Sequence, residues 1–306
     1  MRISSLYNSD AMMAQLGTNG TRISKLMEQM ATQKRINVPS DDPVAATRLV
    51  QLNREQSAIQ QYQNNIKGLS GSLSSQEANV TAMKDQLLAL NDKLVSAASS
   101  GSKGDEDMAS YGAEISSMLD SLVASMNAQN ESGGYLFSGT KTDTKPVVWD
   151  EAQGKYVYQG NSGTRETTVA NGVNVTENTN AIGAFSGNGD DLEMLNKLKA
   201  LSDKMQDPAL SANDYQGDIN EMLTLSGQTR DKVAGLLTDL GGRQNRLTML
   251  EDAHTDVSMA NDQVVRDLSD TDWATTSINL QLYTNSVQIT NKAYSMISQL
   301  SLFSML

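Results

Sequence analysis

Two aspartates stand side by side ahead of a proline in RINVPSDDP, residues 35–43. Adjacent carboxylates can hold a divalent cation or share acid–base work, and the same letters can also end one helix and start the next. The chain offers little to complete a reactive site around them. It has one histidine, His254, and no cysteine, which excludes disulfides, thiolate nucleophiles and two-histidine metal motifs. A Ser-His-Asp relay would have a single candidate base. With no second histidine to complete a metal site, His254 reads as a packing or surface residue. Gly134 and Gly139 are spaced like the glycines of a phosphate loop, but Thr140 stands where the lysine should be and Lys141 comes one place late. A hydrolase using two carboxylates stays open as an alternative, although nothing singles out a pair among 36 acidic residues. The expectation is a protein with no catalytic residues, cofactor or metal.

The local chemistry of RINVPSDDP favours a hinge. Pro39 keeps Val38 out of the helical region and so stops a preceding helix. Asp42 at the N-cap, with Pro43 in the first helical position, meets the orphan amides of a following helix. The sequence SDTD, residues 269–272, offers Asp272 as a cap ahead of a last helix.

What lies between these two bends is mainly helical. Leu52, Ile59, Ile66, Leu73, Val80, Leu87 and Leu94 form an unbroken seven-residue repeat. Tyr62, Leu69, Met83 and Leu90 fall between them, with Gln76 as the polar exception. This is the seam of a long helix packing on partner helices. Running from about Val44 to Ser99, it would be on the order of 85 Å long. A compact chain of this size would have a radius of gyration of only about 19 Å, so the expected molecule is elongated.

The glycines and charges of 101–107 interrupt the pattern. A second stripe, Ile115, Leu119, Leu122 and Met126, then runs toward a stop at Gly133-Gly134. The period changes next: PVVWDEAQGKYVYQG and TTVANGVNVTE, the second with Asn171-Gly172, read as two hairpins. Helical pattern resumes at LEMLNKLKALSDKM, breaks at Asp207-Pro208 and runs long from about Asp214. Its apolar series is Val233, Leu237, Leu240, Leu247, Leu250, Val257, Val264 and Leu268, with His254 and Asn261 close to it.

The fold class is therefore mainly α with a small β-rich insertion, an elongated long-helix bundle with amphipathic terminal helices. Its segments are an N-terminal assembly helix and bend (1–40), a long helix and return helix (41–134), a β-rich outer domain (135–188), a helical return with a second long helix (189–268) and a C-terminal assembly helix (269–306).

Composition agrees. Aromatics are 5% and prolines 4 of 306 residues, which suits long helices better than an aromatic-lined pocket. A net charge of -12 repels phosphate backbones and anionic membranes, so neither nucleic acid nor membrane is an expected partner. The first 17 residues hold no continuous apolar run, and a cleaved secretory signal is not expected.

The two ends mirror each other. Met13, Leu16, Ile23, Met27 and Met30 lead up to the first bend; Ile278, Leu282, Ile289, Met296, Leu300 and Phe303 follow the second. Gly17 and Gly20 weaken the first of these helices by about 1 kcal/mol each relative to alanine. The last 14 residues, AYSMISQLSLFSML, carry no charge. These stripes can pack on each other within one chain or against other subunits. The second is favoured, because the capped bends leave little of the chain nearby to cover them.

MATQKRINVPSDDPVAA, GGYLFSGTKTDTKPV, LGGRQNRL and LSLFSML resemble landmarks of the flagellin-type axial proteins of the bacterial flagellum, at the first long helix, the β-domain entry, the C-terminal stretch and the apolar end. The PSDDP form and the Leu-Phe end resemble the junction branch of that family more than flagellin, which is the alternative. Gln33 stands where the family usually has glycine, and the loop is expected to tolerate it. The resemblance implies a structural subunit, exported unfolded through the flagellum's own channel, that joins hook to filament at the distal end of the hook. It implies as partners a ring of identical subunits, hook-associated protein 1, flagellin and an export chaperone over the C-terminal helix. It implies terminal helices that are largely disordered in the free monomer and pair coaxially on assembly.

Overall fold

A computed structural model describes residues 2–99, 105–187 and 192–303. Among these, helices α1 (Arg2–Thr32), α2 (Pro43–Ala98) and α3 (Asp105–Met126) precede strands β1 (Val147–Asp150), β2 (Lys155–Tyr158), β3 (Glu166–Ala170) and β4 (Val173–Thr176). A short α4 (Ile182–Phe185), α5 (Glu193–Gln206), α6 (Ala212–Ser269) and α7 (Trp273–Phe303) follow. The chain is mainly helical with a small β insertion. Part of the interruption expected at 101–107, and the 188 boundary of the insertion, lie outside the described residues. The chain divides into two compact units: Met1–Ala58 with Thr255–Leu306, and Ile59–His254.

The unit Ile59–His254 carries the core. Its six members of the repeat, Ile59 to Leu94, are buried, and so are Leu69, Met83 and Leu90; Leu52, the seventh, is buried in the other unit. From Ile66 onward they join one apolar cluster with Ile115, Leu119 and Leu122 of α3, Leu195 and Leu198 of α5, and Ile219, Val233 and Leu240 of α6. Gln76, the exception in the repeat, is also buried. Its Nε2 donates to Glu177 O at 2.8 Å, so a polar side chain in the seam holds down the segment that leaves β4. Helices α3 and α5 cross closely because Gly112 has no side chain. A Cβ there would lie 2.9 Å from that of Met205, and Ser202 Oγ donates to Gly112 O at 2.9 Å.

Both hairpins form at the expected places. β1 and β2 pair antiparallel from Val147↔Tyr158 to Asp150↔Lys155. β3 and β4 pair from Glu166↔Thr176 to Ala170↔Val173, with a register shift between Thr168 and Ala170 and Gly172 at φ 71° in the turn. The insertion is held to the helices by side chains: Asn65 Nδ2 donates to Thr168 O at 2.8 Å, and His254 Nε2 lies 2.7 Å from Val169 O. A carbonyl partner makes that ring nitrogen a donor. His254 also stacks on Tyr62 at 5.5 Å, so it serves as a packing residue.

Three expectations need correction. Helix α3 ends at Met126, seven residues before Gly133. Asn127 takes its place, exchanging two 2.9 Å hydrogen bonds with the backbone of Val147 and turning the chain into β1. Val257 and Val264 of α6 are exposed rather than buried. In that stretch α6 meets α2 through Gln56 and Ser258, and turns Asn261, Val265 and Leu268 inward instead. Gln33 does not sit in a tolerant loop. Its φ is 60°, the left-handed conformation that ends a helix and favours glycine. Gln33→Gly should therefore stabilise the protein by about 1 kcal/mol, read as a higher denaturant midpoint with unchanged slope.

Candidate assembly surface

The two aspartates of the first bend have different tasks. Asp42 is the N-cap of α2: its Oδ1 accepts from Ala45 N at 3.0 Å, and its carbonyl accepts the first helical bond, from Ala46 N at 2.9 Å. Pro43 begins the helix. Pro39 is exposed, beside Val38 in the turn closed by Asp41 N donating to Val38 O. Asp41 faces the other way. Its Oδ2 accepts from Asn37 N and Val38 N at 3.0 and 3.2 Å, and Lys25 Nζ of α1 lies 2.8 Å from its Oδ1. Asp272 caps α7, accepting from Ala274 N at 2.9 Å and from Thr275 Oγ1 at 2.6 Å.

The bends are stitched together. Lys34 and Asp270 form an antiparallel bridge; Arg35 N donates to Ser269 O at 2.6 Å, and Thr271 N to Gln33 O at 3.1 Å. Arg35 Nη2 donates to Leu268 O at 2.9 Å, meeting a carbonyl that the end of α6 leaves open, while Nη1 lies 3.4 Å from the Asp42 carboxylate. One arginine thus closes the end of one long helix and touches the cap of the other.

The Lys25 ammonium, and then the amides of Val38 and Asn37, lower the Asp41 pKa from 3.8 to about 2. The Thr275 hydroxyl and amide likewise lower that of Asp272. A carboxyl whose folded pKa lies below its unfolded one stabilises above the unfolded value, and this is lost as pH falls through the folded value. The Asp41 contribution should fade between about pH 4 and about pH 2. An NMR titration should place its midpoint near the lower figure, and Asp41→Asn should speed amide exchange at Asn37 and Val38 at neutral pH.

Helices α1 and α7 pack along each other, antiparallel because Asn19 meets Ser286 and Arg22 meets Tyr283. The seam mixes apolar side chains, Leu16, Ile23, Leu26 and Met30 of α1 with Leu280 and Val287 of α7, with polar ones. Asn19, buried, donates to Ser286 Oγ at 3.3 Å, and Arg22 lies over the Tyr283 ring while donating to its hydroxyl at 3.3 Å. The α1 residues expected to form one stripe divide. Leu16, Ile23 and Met30 are half-buried at seam positions, whereas Met13 and Met27 are exposed. On α7 the covered face holds buried Thr276 and half-buried Leu280, Tyr283, Ser286, Val287 and Thr290. Ile278, Leu282, Ile289 and Met296 point away from it and are 66, 58, 68 and 55% exposed. The side chains of Leu300 and Phe303 lie outside those described. A shallow groove of about 480 Å³ runs along the stripe past Ile278, Leu282, Asn285 and Ile289.

Reading apolar letters alone missed the polar members of the seam, Asn19, Tyr283 and Ser286. It also missed Arg35 and Lys25, which no local motif marks. Carboxylates of the β insertion serve local ends: Asp150 accepts from Ala152 N and Gln153 N in its own turn, Glu166 from Asn174, and Glu177 faces Arg165. Among the described residues no three His, Cys, Asp or Glu gather as a metal site, and no helix is long and apolar enough to cross a membrane.

Residues 3–142 match the bacterial flagellin N-terminal helical region. The chain is 27% identical over 292 residues to flagellar hook-associated protein 3 of Escherichia coli (strain K12), with 91% of each covered. It is 24% identical over 316 residues to that of Salmonella typhimurium (strain LT2), with 99% of each covered. A solved structure described as a flagellar hook-associated protein, from Vibrio parahaemolyticus, is 38% identical at a TM-score of 0.69, covering 75% of this chain and 100% of its own. The flagellar junction protein FlgL from Legionella pneumophila, at 17% identity and a TM-score of 0.59, shares the fold over 73% of this chain and 100% of its own.

Proposed function

Since the chain belongs to the flagellar hook-associated protein 3 family of flagellin-type axial proteins, we propose that it is a structural subunit joining the hook, through hook-associated protein 1, to the flagellin filament. It works without catalytic turnover, at the distal end of the hook, after unfolded export through the flagellum's own channel. Its partners are its own copies in a ring, hook-associated protein 1, flagellin and an export chaperone that covers the C-terminal helix before secretion.

The observation that supports this most is the orientation of α7. Its Ile278, Leu282, Ile289 and Met296 stripe is uncovered, while a different, mixed face with Leu280, Tyr283, Ser286 and Val287 takes the seam with α1. Uncovered apolar side chains at regular helical spacing mark a surface that is completed by another protein. The capped and stitched bends would hold that surface in a set direction.

The test is localisation. In cells of the source bacterium, an epitope-tagged chain should mark a single band at the hook–filament boundary, and its deletion should release unassembled flagellin into the medium. Labelling along the whole filament would make it the bulk subunit instead, and labelling away from the flagellum would overturn the reading.

A further inference from the structure

The faces of α1 and α7 that turn away from their shared seam are unlike each other. On α1, one position past the seam residues Met12, Leu16, Asn19, Ile23, Leu26 and Met30, runs an exposed stripe of Met13, Gly17, Gly20, Ser24, Met27 and Ala31. Between its two exposed methionines the stripe is small and uncharged, and so smooth and open at its centre: a Cβ built on Gly17 or Gly20 meets nothing within 4 Å. Its far end carries exposed Asp10. On α7 the corresponding stripe is bulky, Ile278, Leu282, Ile289 and Met296, and it carries exposed Lys292. Both stripes advance in alternating steps of three and four, the spacing that lets helices mesh with a slight supercoil.

Their directions matter as much as their shapes. Each residue turns the helix by about 100°. The α1 stripe lies one residue after its seam, the α7 stripe one residue before. Because the helices run antiparallel, both displacements turn the same way when viewed from one end. The smooth stripe and the bulky stripe therefore face opposite sides of the pair.

We infer that the bulky α7 stripe of one copy seats on the smooth α1 stripe of the next, with Lys292 meeting Asp10, so that copies join head to tail through two different faces. The occupant of each face is a second copy of this chain. This rests on the junction-subunit reading above and adds to it the faces, the direction and the register of the contact. A contact between unlike surfaces on opposite sides propagates, giving a ring or helical array instead of a closed two-fold dimer. Gly17 and Gly20, which cost α1 helical stability, then have a purpose: they let a neighbouring helix approach closely. Within one copy Tyr283 lies across from Arg22; the Lys292–Asp10 register would place it three residues further back on α1. Neighbouring copies are then offset by about 4.5 Å along the helices.

The chain has no cysteine of its own, so the contact can be read by thiol cross-linking. Cells co-producing Gly20→Cys and Leu282→Cys chains should yield flagella in which a short bifunctional thiol reagent joins the two as the main product. Neither variant alone should cross-link, nor should Leu282→Cys with Thr18→Cys, which lies on the charged side of α1. Cross-linking of either variant with itself would mean a two-fold contact and overturn the proposal. So would incorporation of both chains without the mixed product, which leaves the junction reading intact. Chains absent from the flagella altogether, wild type included, would sink that reading and this one with it. As a second measure, Gly20→Leu should make α1 more stable yet lower incorporation at least about tenfold, the opposite of what a purely structural role for the glycine gives. Undiminished incorporation of Gly20→Leu would also overturn the proposal.

Discussion

Glutamine at Ile278, Leu282 and Ile289 together is expected to abolish incorporation of the chain into flagella while leaving its fold intact. These side chains are more than half exposed, so replacing them removes little packing from the free chain. Glutamine is as good a helix former as the residues it replaces, which keeps α7 from being weakened by propensity. Each large aliphatic buried at an interface contributes roughly 2 kcal/mol. Three together contribute about 6 kcal/mol per contact, more than a thousandfold in affinity. Circular dichroism and the thermal midpoint should stay near those of the parent, while the amount of chain recovered with purified flagella falls to background. A large drop in midpoint would instead mean that the stripe is part of the chain's own core.

Leu87→Ala is expected to have the opposite profile. Leu87, the sixth of the seven repeat residues of α2, is fully buried and belongs to the cluster formed with α3, α5 and α6. Cutting it to alanine removes three carbons from a site with no exposure and leaves a cavity that neighbours on several helices cannot all collapse to fill. The cost should be about 2–5 kcal/mol. Urea denaturation should show the midpoint falling with little change in slope, because the loss is in native packing. An unchanged midpoint would put the core elsewhere. Comparison with the glutamine variant separates residues that hold the body together from residues that attach it to others.

The contrast between these two sets also explains which features could be read from letters. The repeat from Leu52 to Leu94 was legible because a residue enclosed by helices on several sides must be apolar at every turn, and the period survives. The hairpins were legible from alternating strand residues around Asn171-Gly172. The caps at Asp42 and Asp272 were legible because a carboxylate ahead of a helix has a local target. The terminal helices were harder. An apolar residue on a lone helix pair can face the partner or the solvent, and the periodicity of Met13 to Met30 mixes two adjacent faces. The α1–α7 seam uses Asn19, Tyr283 and Ser286, letters that do not advertise burial. Arg35 was silent for a related reason: its partners Leu268 and Ser269 are backbone carbonyls more than 200 positions away, and backbone carbonyls carry no sequence signal. The end of α3 was misplaced because the glycine pair looked decisive, whereas the stop comes from Asn127 pairing with a strand twenty residues on.

On this reading α1 and α7 attach the protein, and the rest of the chain is a self-sufficient body. The most direct measurement is the recovery, with purified flagella, of a chain reduced to residues 33–272, produced in a strain lacking the full-length form and checked for folding by its cooperative thermal transition. A cooperative transition and no recovery with flagella are expected. Recovery at the full-length level, with motility restored, would contradict that reading.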